Sequence, residues 1–281
     1  MSNQKYGFVP PIDTRAGACL TAANWQEAGL SALSCSLESL LFKPGVSVLK
    51  QMTQLSDFMG WSQMFVVKLL TMPLNEETYT LRSPYDGSGL HIGLKECIQL
   101  VNHLAPDYLV LPEGMERLNW VMEELLAESV FPLIAAGDFD AIETRRSFGI
   151  YYTPEMHPPA LIKMDRRYHD PLPFAWLGDI EPGKIKRLIE QGALFVESDR
   201  PLSDAYKGLV YTTKGQIDLT ESGVAEQYEL IDSKCTCPTT CEQQFSRAYL
   251  HHLLQHTPLL CHRLLIQHNS YFIQQAMTSQ S

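Results

Sequence analysis

The 281-residue chain has no apolar run that could cross a bilayer: stretches such as Met64 to Leu70 or Tyr108 to Pro112 fall far short of the ~20 residues a spanning helix needs. Nothing long and apolar follows Met1-Ser2-Asn3-Gln4-Lys5, so no secretory leader is expected and the chain reads as cytoplasmic. It has no excess of positive charge. A formal net charge of -10 argues against nucleic-acid binding driven by bulk charge. Local basic clusters remain, at Lys184, Lys186 and Arg187 and at Arg145, Arg146, Arg166 and Arg167, each reading first as solvated surface charge. No Gly-x-Gly-x-x-Gly follows a strand-like run, which removes a dinucleotide fold. The seven cysteines form no even framework, which argues against a disulfide scaffold. There is no internal repeat.

What is present is the composition of a folded protein, 45% hydrophobic and 19% charged. Short apolar runs alternate with amphipathic stretches over the first ~200 residues, an α/β pattern. Strands are expected at Leu30–Cys35, Phe65–Leu70, Tyr108–Leu111, Pro132–Ala136, Gly149–Tyr152, Ala160–Ile162, Phe174–Leu177 and Leu194–Glu197. Helices are expected at Ala22–Ala28, Leu94–Leu104, Asn119–Glu128 and Gly183–Gln191. Continuous apolar strands such as Phe65-Val66-Val67 suit a parallel sheet covered on both faces. This number of strand and helix candidates suggests a trimmed (β/α)8 TIM barrel; a doubly wound open sheet is the alternative, and periodicity does not separate the two. The polar stretch from Tyr211 to Gln227 reads as a hairpin or loop, dividing a barrel-like domain, 1–225, from a helical zinc-binding subdomain, 226–281.

Four cysteines crowd into that last segment: Cys235, Cys237, Cys241 and Cys261. The first three, with Pro238 in the turn, can converge on one ion, and zinc asks for a tetrahedron of thiolate and imidazole ligands. A helix is expected from Glu242 to His256, with Phe245, Tyr249, Leu250 and Leu253 on one face. Thr257-Pro258 stops it and starts a second helix running to about Met277. So short a turn makes the pair antiparallel. At ~1.5 Å rise per residue, His268 returns most of the way to Cys241, whereas Cys261 and His262 stay near the turn and His251, His252 and His256 lie on the outgoing helix. His268 is the expected fourth ligand. Four protein ligands close the site, so the zinc would be structural.

The same stretch, Cys235-Thr-Cys237-Pro-Thr-Thr-Cys241 with Ser246-Arg-Ala-Tyr-Leu-His-His-Leu253 and then Gln267-His268-Asn269, resembles the zinc motif of the tRNA-guanine transglycosylases. That pattern is Cys-x-Cys-x-x-Cys, Ser-Arg-Ala-Tyr-Leu-His-His-Leu and His-Asn; here one extra residue precedes the third cysteine and another follows it. Weaker likenesses thread the chain in order. They lie at Ser34-Cys35-Ser36-Leu37 with Leu41 to Gly45, at Leu55 to Trp61, at Leu81 to Gly87, and at Leu177 to Pro182 with Gly192. The resemblance implies a TIM barrel with a zinc subdomain and work on tRNA, replacing guanine by a 7-deazaguanine such as queuine or its precursor. It also implies a homodimer, or a heterodimer with a catalytic homologue, joined through the zinc region.

The family's chemistry needs a carboxylate nucleophile, a second carboxylate for proton transfer and polar groups that read the base. Ungapped counting from Gly192 to Gly208 puts Glu197 at the nucleophile's place, with Asp199 as a fallback. The second aspartate and the glycines of the base pocket are replaced by Val67-Lys68-Leu69-Leu70-Thr71-Met72, and the base-reading aspartate by Leu111-Pro112-Glu113. In keeping the zinc motif, placing a glutamate near the nucleophile position and losing the pocket, the chain is similar to the non-catalytic subunit of the two-subunit eukaryotic queuine enzyme. The leading expectation is a catalytically impaired member that binds tRNA or a catalytic partner. The alternative is an active enzyme on an altered base, using Glu197 with help from Glu113, Asp138 or Asp165; a bare zinc-stapled scaffold comes third.

Overall fold

The computed structural model describes residues 6–70, 78–156 and 172–278. Its strands are β1 (Gly7–Val9), β2 (Ala32–Ser36), β3 (Met64–Lys68), β4 (Thr78–Arg82), β5 (Gly89–Gly93), β6 (Tyr108–Val110), β7 (Phe131–Ala135), β8 (Gly149–Tyr152), β9 (Phe174–Leu177), β10 (Phe195–Glu197), β11 (Leu209–Thr212) and β12 (Gly215–Asp218). Eight of them form one sheet in the order β1-β10-β9-β8-β7-β6-β3-β2. The pairings β1/β10, β3/β6, β6/β7, β7/β8 and β8/β9 are all parallel. The two strands at the ends of that order are consecutive in the chain, the topology of a (β/α)8 barrel. No helix among the described residues is long and apolar enough to cross a membrane.

The chain forms two compact units, Met1–Leu33 with Gly178–Ser281, and Ser34–Leu177. In the second unit β3, β7 and β8 are almost wholly buried, as strands of a sheet covered on both faces should be. The β7/β8 contact is so close that a Cβ at Gly149 would stand 2.7 Å from Leu133 Cδ2 and 2.8 Å from the Pro173 carbonyl, so only glycine fits. The helix Leu94–Leu104 buries Cys97, Ile98, Val101 and Leu104 on one face. The expected helix Asn119–Glu128 is present but shorter: an α-helical turn, Leu118–Trp120, continues into a wider helical turn, Val121–Leu125. Arg146 ends it, donating to the carbonyls of Leu126 and Val130 at 2.7 Å each and to that of Ala127.

In the first unit, β1 was not among the expected strands, whereas Ala160–Ile162 lies outside the described residues. Phe8, Trp25 and Phe195 are fully buried there. The expected helix from Glu242 begins five residues later, as Arg247–His256. Tertiary pairing sets this start. Arg247 N–H donates to Glu229 O at 2.9 Å, and Ala248 N–H to Gln227 O at 2.7 Å. Ser246 takes extended backbone, and its Oγ accepts from Tyr249 N–H at 3.1 Å. Residues Pro238–Glu242 form a separate wide turn. The last helix, Pro258–Thr278, packs on the helix Arg200–Tyr206 and on β11. It also braces the start of the chain: Gln274 accepts from Phe8 N–H at 3.4 Å, and Gln267 donates to Glu27 at 2.8 Å.

Candidate functional site

The hairpin of the last two helices brings its return arm back to the cysteine turn. Cys235 Sγ, Cys237 Sγ and one ring nitrogen of His268 lie within 4.8 Å of one another. His268 Nδ1 stands 3.2 Å from Cys237 Sγ and 3.7 Å from Cys235 Sγ. A sulfur at about 2.3 Å and a nitrogen at about 2.0 Å from one tetrahedral ion would be about 3.5 Å apart, so these donors fit zinc. The other ring nitrogen, Nε2, is 2.8 Å from Tyr211 O. A carbonyl only accepts, so Nε2 carries the hydrogen and Nδ1 turns its lone pair toward the sulfurs, the tautomer a metal ligand needs.

The two thiols divide in acidity. Cys237 is lowered to about 6, first by the hydrogen bond from Cys235 and then, against the effect of burial, by Thr240. Cys235 is raised to about 12 by that same bond and by burial. Thr240 Oγ1 lies 3.1 Å from Cys237 Sγ and donates to Cys235 O at 3.1 Å, tightening the turn. Cys235 also lines a cleft of about 300 Å³ with Asp232, Thr236 and Phe272, which leaves the cluster a route to solvent. The side chain of Cys241 lies outside the described residues. Cys261 is spent elsewhere, donating to Leu250 O at 3.4 Å, and His251 Nδ1 meets Leu219 O at 2.7 Å.

The carboxylate strand belongs to the same unit. Glu197 ends β10 opposite Val9 of β1 and is 5% exposed. It thus lies at the strand's carboxyl end, where (β/α)8 barrels place their chemistry. Ser198 fixes the turn that follows: its Oγ donates to Ile180 O at 3.1 Å and accepts from Ile180 N–H at 3.1 Å and Arg200 N–H at 3.2 Å. Asp199 accepts from Thr14 Oγ1 at 2.6 Å at the head of the helix Arg200–Tyr206.

Sequence reading missed a network behind this turn, with Tyr211 and Asp204 buried and Arg200 and Asp179 reaching the surface. Tyr211 Oη donates to Asp204 at 2.7 Å, and Arg200 pairs with Asp204 at 3.3 Å and Asp179 at 3.0 Å. Burial, and then its bond to Asp204, push the Tyr211 phenol well above the ordinary range. A tyrosine in a predicted loop gave no signal of this.

In the other unit, Asp138 is turned to Gly114 N–H at 2.9 Å, a backbone-capping role. Glu113 is exposed beside Gly137, whose added Cβ would meet its carboxylate at 2.9 Å. Asp165 lies outside the described residues. Beyond β3, Leu69 and Leu70 are buried, 0% and 6% exposed. Of the basic clusters, Lys184 and Lys186 pair with Glu181 and Glu190, and Arg146 is turned onto backbone carbonyls; Arg166 and Arg167 lie outside the described residues.

A (β/α)8 scaffold with a Cys/His cluster in its closing helical hairpin defines the class of molecule. A family model described as queuine tRNA-ribosyltransferase matches residues 160–280. The queuine tRNA-ribosyltransferase of Thermotoga neapolitana is 25% identical over 313 residues, spanning 94% of this chain and 83% of that protein. That of Thermotoga maritima is 27% identical with the same coverage, and that of Methylacidiphilum infernorum 24% identical over 96% and 85%. Along nearly its whole length the chain is thus similar to queuine tRNA-ribosyltransferases, and over residues 160–280 it matches their family model.

Proposed function

We propose that this chain acts in tRNA queuosine modification as a catalytically impaired member of its family, binding tRNA or a catalytic homologue in place of running the exchange itself. The observation that carries the reading is the pair Leu69 and Leu70, buried and apolar just beyond β3, where the reaction asks for a carboxylate and close backbone approach to a base. Glu197 is a methylene longer than aspartate, and a displacement of ~1 Å can cost about a hundredfold in rate. Cys235, Cys237, Cys241 and His268 hold a structural zinc in this reading, residues 226–281 form a subdomain around it, and that subdomain supplies the dimer contact in the cytoplasm. A second reading draws on Glu197: a carboxylate so buried at a strand's carboxyl end is poised as a nucleophile on an altered base, with Asp199 as the fallback.

Labelled guanine exchange into tRNA separates the two. The impaired member incorporates no label alone, co-purifies with a catalytic homologue and exchanges label when mixed with it, and Glu197→Gln leaves that mixture unchanged. Exchange by the chain alone, abolished by Glu197→Gln, overturns the proposal in favour of the second reading.

A further inference from the structure

Asn269 follows the metal-cluster histidine and is completely buried. Its amide uses three contacts: Oδ1 accepts from Tyr211 N–H at 3.0 Å, and Nδ2 donates to Pro201 O and to Leu209 O, each at 3.0 Å. An N–H only donates and carbonyls only accept, so no flipped amide satisfies all three. His268 Nε2 meanwhile donates to Tyr211 O at 2.8 Å. Consecutive residues of the last helix therefore hold both backbone polar groups of Tyr211. The second of them also holds the first turn of the helix that begins after Asp199. Tyr211 returns to that helix through its hydroxyl on Asp204 at 2.7 Å.

We infer that Asn269 is a positioning residue that couples metal binding at Cys235, Cys237 and His268 to the segment carrying Glu197 and Asp199. The inference rests on the metal reading of the cluster. An ion on Nδ1 fixes the imidazole from the side opposite Tyr211 O. With the ion bound, the ring, the Tyr211 peptide and the Pro201 carbonyl form one clamped unit. Without it the ring turns more freely, and the loosening reaches residues 198–206 through two paths that share Tyr211 and Asn269. Thermodynamic linkage makes the effect reciprocal: weakening the clamp weakens metal binding.

Amide hydrogen exchange on the full chain, with one equivalent of zinc and after chelation, tests this. In the wild type, zinc removal speeds exchange in residues 198–206 by about tenfold, within the usual range for coupled sites. It has a smaller effect on Ala22–Glu27, which the same helix braces through Gln267. Asn269→Asp keeps the shape but cannot donate to the two carbonyls. It binds zinc more weakly, exchanges fast over 198–206 even when loaded, and changes little on chelation. Gln267→Ala, which breaks the bonds to Asn24 and Glu27, keeps the wild-type response. Equal protection of residues 198–206 with and without zinc in a wild type that binds one equivalent overturns the coupling while leaving the metal reading intact. A chain that binds no zinc overturns both. Should Asn269→Asp fail to fold, the wild-type comparison decides alone.

Discussion

Replacing Tyr211 with phenylalanine removes one hydroxyl and little else. The ring stays against Phe272, with centroids 6.2 Å apart, but the 2.7 Å bond to the Asp204 carboxylate is lost. Both residues are 6% exposed, so water does not replace the donor. Hydrogen bonds to charged groups contribute about 1.5–3 kcal/mol, so Tyr211→Phe should lower stability near pH 7 by about 2 kcal/mol. A second consequence follows from acidity. The folded phenol is held above the ordinary value of about 10 by burial and then by Asp204. A raised folded value means this stabilisation is complete below pH ~10 and is lost above it, because the unfolded chain ionises first. At about pH 11 the wild type has lost about 1.4 kcal/mol that the variant cannot lose, so the gap should narrow to about 0.6 kcal/mol. Urea unfolding at the two pH values reads both numbers. A gap that stays constant or widens with pH would refute the buried Tyr211–Asp204 bond as described.

Ser246→Ala should cost about 1 kcal/mol in the same assay, because Ser246 Oγ caps the helix Arg247–His256 through Tyr249 N–H. Gly17→Ala should cost about 2 kcal/mol or more, since the added Cβ would lie 2.1 Å from Pro11 O in the loop that presents Thr14 to Asp199. Bound metal should be released on acidification, because its ligands must be deprotonated; dye-detected zinc during an acid titration reads the transition.

The helix Leu94–Leu104 is legible residue for residue because Cys97, Ile98, Val101 and Leu104 repeat at helical spacing behind Gly93. The meeting of Cys235 and Cys237 with His268 is legible because a two-residue stop at Thr257-Pro258 and a known rise per residue fix where the return helix arrives. β1 is not legible. It is three residues long, opens on a glycine with φ 78° and runs into Pro10-Pro11, and only long-range pairing with β10 makes it a strand. The late start at Arg247 is hidden for a similar reason: Glu242 to Phe245 have adequate helix propensity, and partners at Gln227 and Glu229 decide the boundary. The hydrogen bond that orients His268 falls on the Tyr211 carbonyl, a group every residue has, so no residue type announces it.

X-ray absorption at the zinc edge, with metal analysis of the purified full chain, bears most directly on the cluster. One zinc per chain is expected, with three sulfurs at about 2.3 Å and one nitrogen at about 2.0 Å, and with the nitrogen lost in His268→Ala. Absence of stoichiometric zinc, or an unchanged spectrum in that variant, would contradict the assignment of Cys235, Cys237, Cys241 and His268.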